Sequence, residues 1–144
     1  MMDLERLYQE VILTHYRRPR RRGTVTAPTG RAHVANPTCG DEVIVEVRAE
    51  GDRLVEVRFG GYGCTISQAS ASMMADRVEG CTRAEAETLH RRVVALVHGD
   101  PDAARDPTLG DLRALAGVAK FPPRVRCALL AWEALEHALR TPTP

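Results

Sequence analysis

The spacing of apolar residues along the chain changes from helical to alternating and back, and it predicts the order of the elements. Apolar residues three and four positions apart predict an amphipathic helix over residues 3–15 that packs on the core. Alternation along the chain then predicts two half-buried strands, over 42–48 and 54–59. A tight hairpin is expected at 50–53. One face of the two strands is expected to carry Val43, Val45, Val47, Val55, Val57 and Phe59.

The second half of the chain is predicted to be mostly helical. Thr82 and Glu85 have the spacing of a capping box, so a helix should start there and end at Gly99. A polar loop is expected at 100–107. The remaining helices are one after Cys64, a short one within 109–117 and a last one after Phe121-Pro122-Pro123. A short extended piece at 31–35 would make the sheet one of two or three antiparallel strands.

Length and composition favour one domain over residues 1–144, because 144 residues with 44% hydrophobic and 27% charged side chains can bury a sizeable core. The net charge of +1 gives no general attraction to nucleic acid or membrane. No apolar run is long enough to cross a bilayer, and the first residues lack the pattern of a secretion signal. We therefore expect a cytoplasmic protein with no membrane partner.

Five arginines crowd the segment from Arg17 to Arg22, after the first helix. One interpretation is a solvated basic loop. The other is a docking patch for an acidic protein surface. Nucleic acid is disfavoured as a partner because Tyr16 is the only aromatic residue available for stacking on a base.

The cysteines carry the candidate chemistry. Disulfides are not expected in a reducing compartment, so Cys39, Cys64, Cys81 and Cys127 are explained better as metal-binding, reactive or core residues. Cys64 should lie at the joint of a strand and a helix, where the start of the helix favours an anion. Three glycines, Gly60, Gly61 and Gly63, are expected to let the backbone turn there with positive φ.

A second motif, Cys39-Gly40-Asp41, places a thiol and a carboxylate two positions apart around a glycine. With Cys64 and with Cys127, which is close to the start of the last helix, these residues would form a tetrahedral site, most simply for zinc. The alternative is that scattered cysteines are unrelated. Cys81 is interpreted as structural. His33 could approach such a site, although a lone histidine of a strand is usually solvated.

Several motifs occur in one order along nearly the whole chain, and together they resemble the SufU/IscU family of iron-sulfur cluster assembly proteins, also called NifU N-terminal-like. The motifs are residues 8–23, Asn36-Pro37-Thr38-Cys39-Gly40-Asp41, Gly63-Cys64 with residues 67–74, Arg124-Val125-Arg126-Cys127-Ala128 and Leu130-Ala131-Trp132. The resemblance implies an α+β fold, SufE/NifU-like, with a small antiparallel sheet of about three strands covered by helices. It also implies a site built from Cys39, Asp41, Cys64 and Cys127.

Two departures make the chain more similar to the SufU branch than to the IscU branch. First, Arg126 precedes Cys127 where IscU has a histidine, and Phe121-Pro122-Pro123-Arg124-Val125 matches the chaperone motif of IscU only loosely. Second, the segment from Cys64 to Cys127 is longer than in the IscU branch, with the extra residues expected around 84–106. The resemblance to SufU implies zinc binding, sulfur acceptance at Cys39, and a SufS-like cysteine desulfurase as partner. Downstream partners would be an iron-sulfur scaffold or apo-proteins.

Alternatives remain at this point. The same four ligands serve a transient [2Fe-2S] cluster, and then the protein would be a non-enzymatic scaffold that assembles and transfers it. A structural zinc domain that binds partners through the arginine segment is a third interpretation. A zinc hydrolase is disfavoured because no carboxylate pair or histidine is placed as a general base.

Overall fold

Three antiparallel strands in the order β1-β2-β3 form the sheet, and helices cover it, as the pattern predicts. This computed structural model describes residues 4–38 and 40–140. The strands are β1 (Gly30–Asn36), β2 (Asp41–Glu50) and β3 (Arg53–Tyr62). The helices are α1 (Leu4–Arg17), α2 (Thr65–Val78), α3 (Arg83–Val97), α4 (Pro101–Ala104) and α5 (Pro122–Arg140), with a 3-10 segment at Pro107–Lys120 between the last two.

The β2–β3 hairpin turns through Gly51 and Asp52, with Glu50 paired to Arg53. A β-bulge follows, because Arg48 pairs with Glu56 whereas Ala49 pairs with Leu54, which leaves Val55 as the extra residue of β3. The bulge moves Leu54 to the core face, where it is fully buried, and leaves Val55 half-buried. Alternation had placed Val55 on the face of Val57 and Phe59, and that expectation is wrong.

The core lies between the sheet and the helices α2 and α5. Helix α5 packs on β1 and β2, and α2 packs on β3 and α5. The largest fully buried side chains are Trp132 of α5 and Phe59 of β3. Within the described residues, no helix has the length and apolarity that a membrane crossing requires.

Helix α1 packs on α2 and the 3-10 segment, and its apolar stripe meets the core at its edge, through Ile12. Tyr8, Val11 and Ile12 are half-buried, and Leu7 is 44% exposed. Among residues 5–17 of α1, the buried one is His15, whose Nδ1 lies 2.8 Å from Ser72 Oγ and whose Nε2 lies 3.3 Å from Asp111 Oδ2. A polar network thus attaches α1 to its neighbours in addition to the core packing that the apolar pattern predicted.

The expected polar loop at 100–107 is partly helical. Asp100 caps the short helix α4, accepting a hydrogen bond from the Asp102 amide, and Pro101 occupies its first turn. The capping box of α3 is confirmed, with Thr82 and Glu85 each bonded to the other's backbone. The short helix predicted within 109–117 belongs to the 3-10 segment, which kinks at Gly110.

Candidate metal centre

Cys64 is the N-cap of α2, as the sequence predicts. It lies two residues after the end of β3 and directly before α2, so it stands at a strand-to-helix joint. Its Sγ accepts a hydrogen bond from the Ser67 amide at 3.4 Å, and its own amide donates to Asp41 Oδ1 at 2.8 Å. The unpaired amides of a helix start favour negative charge, so the thiol sits where an anion is stabilised.

The glycines before Cys64 serve different purposes from those expected. Only Gly61 has a positive φ, 105°, whereas Gly60 and Gly63 do not. Gly63 is required by close packing, because a Cβ there would lie 2.7 Å from Asp41 Oδ1 and 2.6 Å from Ser67 Oγ. A side chain at position 63 would therefore push the Asp41 carboxylate away from the Cys64 turn.

Asp41 begins β2 and is only 2% exposed. It pairs with Asn36 of β1, and the turn between them includes Gly40, whose φ is 77°. The Gly40 amide donates to the Asn36 carbonyl at 2.8 Å, so the turn closes tightly. Cys39, the predicted sulfur acceptor and ligand, lies outside the described residues.

Cys127 is buried in the second turn of α5, at 2% exposure. The packing of α5 against α2 and β2 brings its thiol to Cys64 and Asp41. One ligand atom from each of Asp41, Cys64 and Cys127 lies within 4.8 Å of the other two, and this is the one such group that residues 4–38 and 40–140 contain. Zinc bonds of about 2.0–2.3 Å bring their ligands within about 4 Å of one another, so this donor set fits a tetrahedral ion after a small contraction.

Arg124 is the cation of the cluster. Negative charge on the Cys64 and Cys127 sulfurs, with hydrogen bonds to both, raises the pKa of the Arg124 guanidinium further above its usual value. The side chain is exposed, so it can meet a molecule that approaches the thiols. The sequence had indicated positive charge from Arg124 and Arg126 near Cys127, and the structure assigns the contact with the sulfurs to Arg124.

An open groove of about 1050 Å³ is lined by Cys64 of this cluster and by Arg124. Helix α1, the start of α2, the 3-10 segment and the start of α5 form its walls, which are mainly apolar. Phe121 on the rim is 61% exposed, and Tyr16 is 44% exposed. Lining residues that bear on function are Tyr16, Cys64, Ile66, Lys120, Phe121 and Arg124. The mainly apolar wall of the groove therefore extends to the Cys64 thiol.

The other sequence candidates lie elsewhere. Cys81 Sγ donates to the Arg77 carbonyl at 3.2 Å, and burial raises the pKa of this thiol, in keeping with a structural role. His33 Nε2 lies 3.5 Å from Glu42 Oε2, and the group formed by Asp41, Cys64 and Cys127 does not include it.

The chain is similar to known proteins over almost its whole length. It is 40% identical to the iron-sulfur cluster assembly scaffold protein IscU of Streptococcus pyogenes serotype M1, over 97% of this chain and 87% of that protein. It is 39% identical to the zinc-dependent sulfurtransferase SufU of Bacillus subtilis (strain 168), over 95% and 92%.

A solved structure shares the fold. It is a candidate iron-sulfur cluster assembly scaffold protein for the SUF system from Fervidobacterium islandicum AW-1, with a TM-score of 0.83 and 31% identity over 95% of this chain and 99% of that one. The α+β fold predicted from the sequence is thus confirmed. The model of the NifU-like N terminal domain matches residues 7–128. The chain therefore belongs to the family of the NifU-like N-terminal domain.

Proposed function

We propose that the chain is an iron-sulfur cluster assembly protein that binds zinc and accepts persulfide sulfur from a cysteine desulfurase. The observation that carries the proposal is the convergence of Asp41, Cys64 and Cys127, with ligand atoms within 4.8 Å of one another, beside an open groove. The name of the Bacillus subtilis relative, a zinc-dependent sulfurtransferase, supports it. Residues 1–144 would act as one domain, in the cytoplasm.

The metal would be held by Asp41, Cys64, Cys127 and, as the fourth ligand, Cys39. Two thiols and a carboxylate suit a borderline-soft divalent ion, and a third thiol completes the set that zinc prefers. When bound, zinc keeps the thiols ionised and ordered. Asp41 contributes twice, because the carboxylate that belongs to the donor set also fixes the backbone of Cys64.

The sulfur acceptor in this proposal is Cys39, on the strength of its motif. Its thiolate attacks the outer sulfur of the desulfurase persulfide and forms a new S–S bond. The S–S bond of the desulfurase breaks, and its electron pair leaves on the desulfurase cysteine as thiolate. The outer sulfur keeps its proton. Because one S–S bond forms and one breaks, no oxidant or reductant is consumed. Gly40, next to Cys39, has more conformational freedom than any other residue would have there, which suits a thiol that must reach a partner.

The groove beside Cys64 supports a docking partner that brings sulfur to this end of the molecule. Its apolar walls suit a protein segment, and the exposed Phe121 offers a side chain for that segment to cover. Arg124 and Lys120 on its lining attract the negative charge of an approaching persulfide. A SufS-like desulfurase would supply the sulfur, and an iron-sulfur scaffold or apo-proteins would receive it next.

Assembly of a [2Fe-2S] cluster on the same residues is the second candidate. The Streptococcus pyogenes relative is named an assembly scaffold, and thiols with a carboxylate can hold two irons. Metal analysis of protein purified without oxygen separates the two. Zinc in colourless protein supports the first proposal, whereas iron with sulfide in brown protein supports the second.

The ligand set is tested in the same preparations. Cys64→Ser and Cys127→Ser should each lose most of the bound metal, whereas Cys81→Ser, a cysteine outside the cluster, should keep it. Equal metal content in all three variants would overturn the assignment.

A further inference from the structure

The guanidinium of Arg22 joins the two sides of the turn that carries Cys64. Its Nη2 donates to the Gly61 carbonyl at 2.6 Å, and its Nη1 donates to Gln68 Oε1 at 3.0 Å. Gly61 precedes Cys64 by three residues, at the end of β3, and Gln68 follows it by four, in the first turn of α2. One side chain therefore fixes the strand end relative to the helix start.

Arg22 is itself held in place. The Phe59 amide donates to the Arg21 carbonyl at 3.1 Å, and the Gly23 amide donates to the Phe59 carbonyl at 2.9 Å, so the segment around Arg22 lies alongside β3. The guanidinium also lies over the Phe59 ring, 5.5 Å from its centroid, within the range of a cation–π contact. The backbone hydrogen bonds of Arg21 and Gly23, together with the contact on Phe59, thus hold Arg22 beside the Cys64 turn.

Gln68 is an unusual residue for the first turn of a buried helix. It is 8% exposed, and within the described residues its Nε2 is buried without a hydrogen-bond partner. Buried amide groups are normally paired on both ends, since an unmade bond destabilises the fold. The contact that Gln68 does make is the one through Oε1 to Arg22, and this contact ties α2 to the arginine segment next to Cys64.

The neighbouring arginines act at the other end of α2. Arg20 Nη1 lies 3.0 Å from Asp76 Oδ2, and Arg21 Nη1 lies 2.9 Å from Glu79 Oε2. Both carboxylates lie three to four turns of helix beyond Cys64. The segment is therefore not simply solvated. The Arg22 side chain binds at the Cys64 turn, whereas the Arg20 and Arg21 side chains bind near the end of the helix.

We propose that Arg22 is a positioning residue for sulfur transfer, which keeps Cys64 in place by holding Gly61 and Gln68 together. The inference rests on the proposed function, in which Cys64 stays at the site while Cys39 leaves it. The turn that carries Cys64 must stay fixed while Cys39 moves, and the Arg22 side chain spans that turn. Arg22 touches no reacting atom, so it acts through Cys64.

The test compares Arg22→Gln with Arg21→Gln, a matched variant of the same segment that loses an ion pair far from Cys64. Amide hydrogen exchange of the full-length protein, followed residue by residue, reports on the turn. We expect exchange at Cys64, Ser67 and Gln68 to rise about tenfold or more in Arg22→Gln, because bonds to a charged donor are lost. The same amides should be unchanged in Arg21→Gln.

Arg22→Lys serves as the conservative variant, and it also covers the case in which Arg22→Gln does not fold. An ammonium keeps the charge but cannot bridge both acceptors as a planar fork does, so exchange should lie between that of wild type and of Arg22→Gln. Equal acceleration in Arg21→Gln and Arg22→Gln, or no acceleration in the Arg22 variants, would overturn the proposal.

A kinetic measurement separates positioning from general destabilisation. With a cysteine desulfurase, Arg22→Gln should lower the maximal stimulation while the protein concentration for half-maximal stimulation stays the same, and Arg21→Gln should change neither. A rise in that concentration alone would show that Arg22 docks the partner instead. If wild type fails to stimulate at all, the proposed function is wrong, and the exchange data still decide whether Arg22 fixes the turn.

Discussion

The amide of Cys64 donates a 2.8 Å hydrogen bond to Oδ1 of Asp41, which links the backbone at one predicted ligand to the side chain of another. The two residues come from different elements, the start of β2 and the cap of α2. The bond means that Asp41 sets where Cys64 lies before any metal is bound. Removal of the Asp41 charge and removal of its hydrogen-bonding oxygen should therefore have separable effects on zinc affinity and on stability.

Asp41→Asn and Asp41→Ala separate these effects. The asparagine keeps an oxygen that can accept from the Cys64 amide but is a neutral and weaker ligand, so zinc affinity should fall about 10–100-fold with stability nearly kept. The alanine also leaves the Cys64 amide without its acceptor, which should cost about 1–3 kcal/mol of unfolding free energy. Chelator competition and urea unfolding measure the two quantities. Equal destabilisation by both substitutions would show that the hydrogen bond is not what Asp41 contributes.

Gly63→Ala should disturb the same contact from the other side. The new Cβ would lie 2.7 Å from Asp41 Oδ1, so either the carboxylate or the turn must move, at a cost of about 1–3 kcal/mol. Gly60→Ala is the matched control, since a Cβ there meets nothing within 4 Å. Urea unfolding of metal-free protein gives both values. If the two alanines destabilise alike, close packing at position 63 is not the reason for its glycine.

Arg124→Gln should slow sulfur acceptance, because the guanidinium that interacts with the Cys64 and Cys127 sulfurs also lines the groove. Arg126→Gln removes a neighbouring exposed charge without touching that contact, and it should leave the rate within about twofold of wild type. Desulfurase stimulation at two salt concentrations measures both variants. A larger loss of rate in Arg126→Gln than in Arg124→Gln would show that the desulfurase contacts Arg126 instead.

His90 predicts a pH dependence of stability that is independent of the metal centre. Its ring stacks on Trp132, with 5.8 Å between centroids, and burial lowers its pKa from 6.5 despite the opposing charge of Glu136. The unfolded chain therefore takes up the proton first. Stability from the neutral ring is present above pH 6.5 and is lost as the pH falls below that value toward the folded pKa.

His90→Gln removes that proton linkage. The difference in unfolding free energy between wild type and His90→Gln, measured in urea from pH 7.5 to pH 5, should shrink as the pH falls. A constant difference over the same interval would mean that protonation of His90 is not linked to folding.

Local sequence signals predicted the elements that depend on local chemistry. Residues only a few positions apart determine three of them: the helix cap at Cys64, the capping box of Thr82 and Glu85, and the hairpin at Gly51 and Asp52. The bulge at Val55 depends on pairing with another strand, which alternation alone does not encode.

The contacts that shape the site are of long range. Arg22 meets Gln68 across 46 positions, and His15 meets Ser72 across 57, so no window of sequence shows them. The cluster of Asp41, Cys64 and Cys127 was predicted as a set from residue type and resemblance, and the structure supplies its proximity. The role of Cys39 stays a prediction.

The most direct measurement maps the transferred sulfur. The protein is incubated with a cysteine desulfurase and cysteine, trapped by alkylation, and its cysteine peptides are read by mass spectrometry. We expect one additional sulfur atom on the Cys39 peptide, absent from Cys39→Ala and present in Cys81→Ser. Two results would contradict sulfur acceptance at Cys39. One is additional sulfur on Cys64 or Cys127 with none on Cys39, and the other is no additional sulfur on any cysteine although the desulfurase is active.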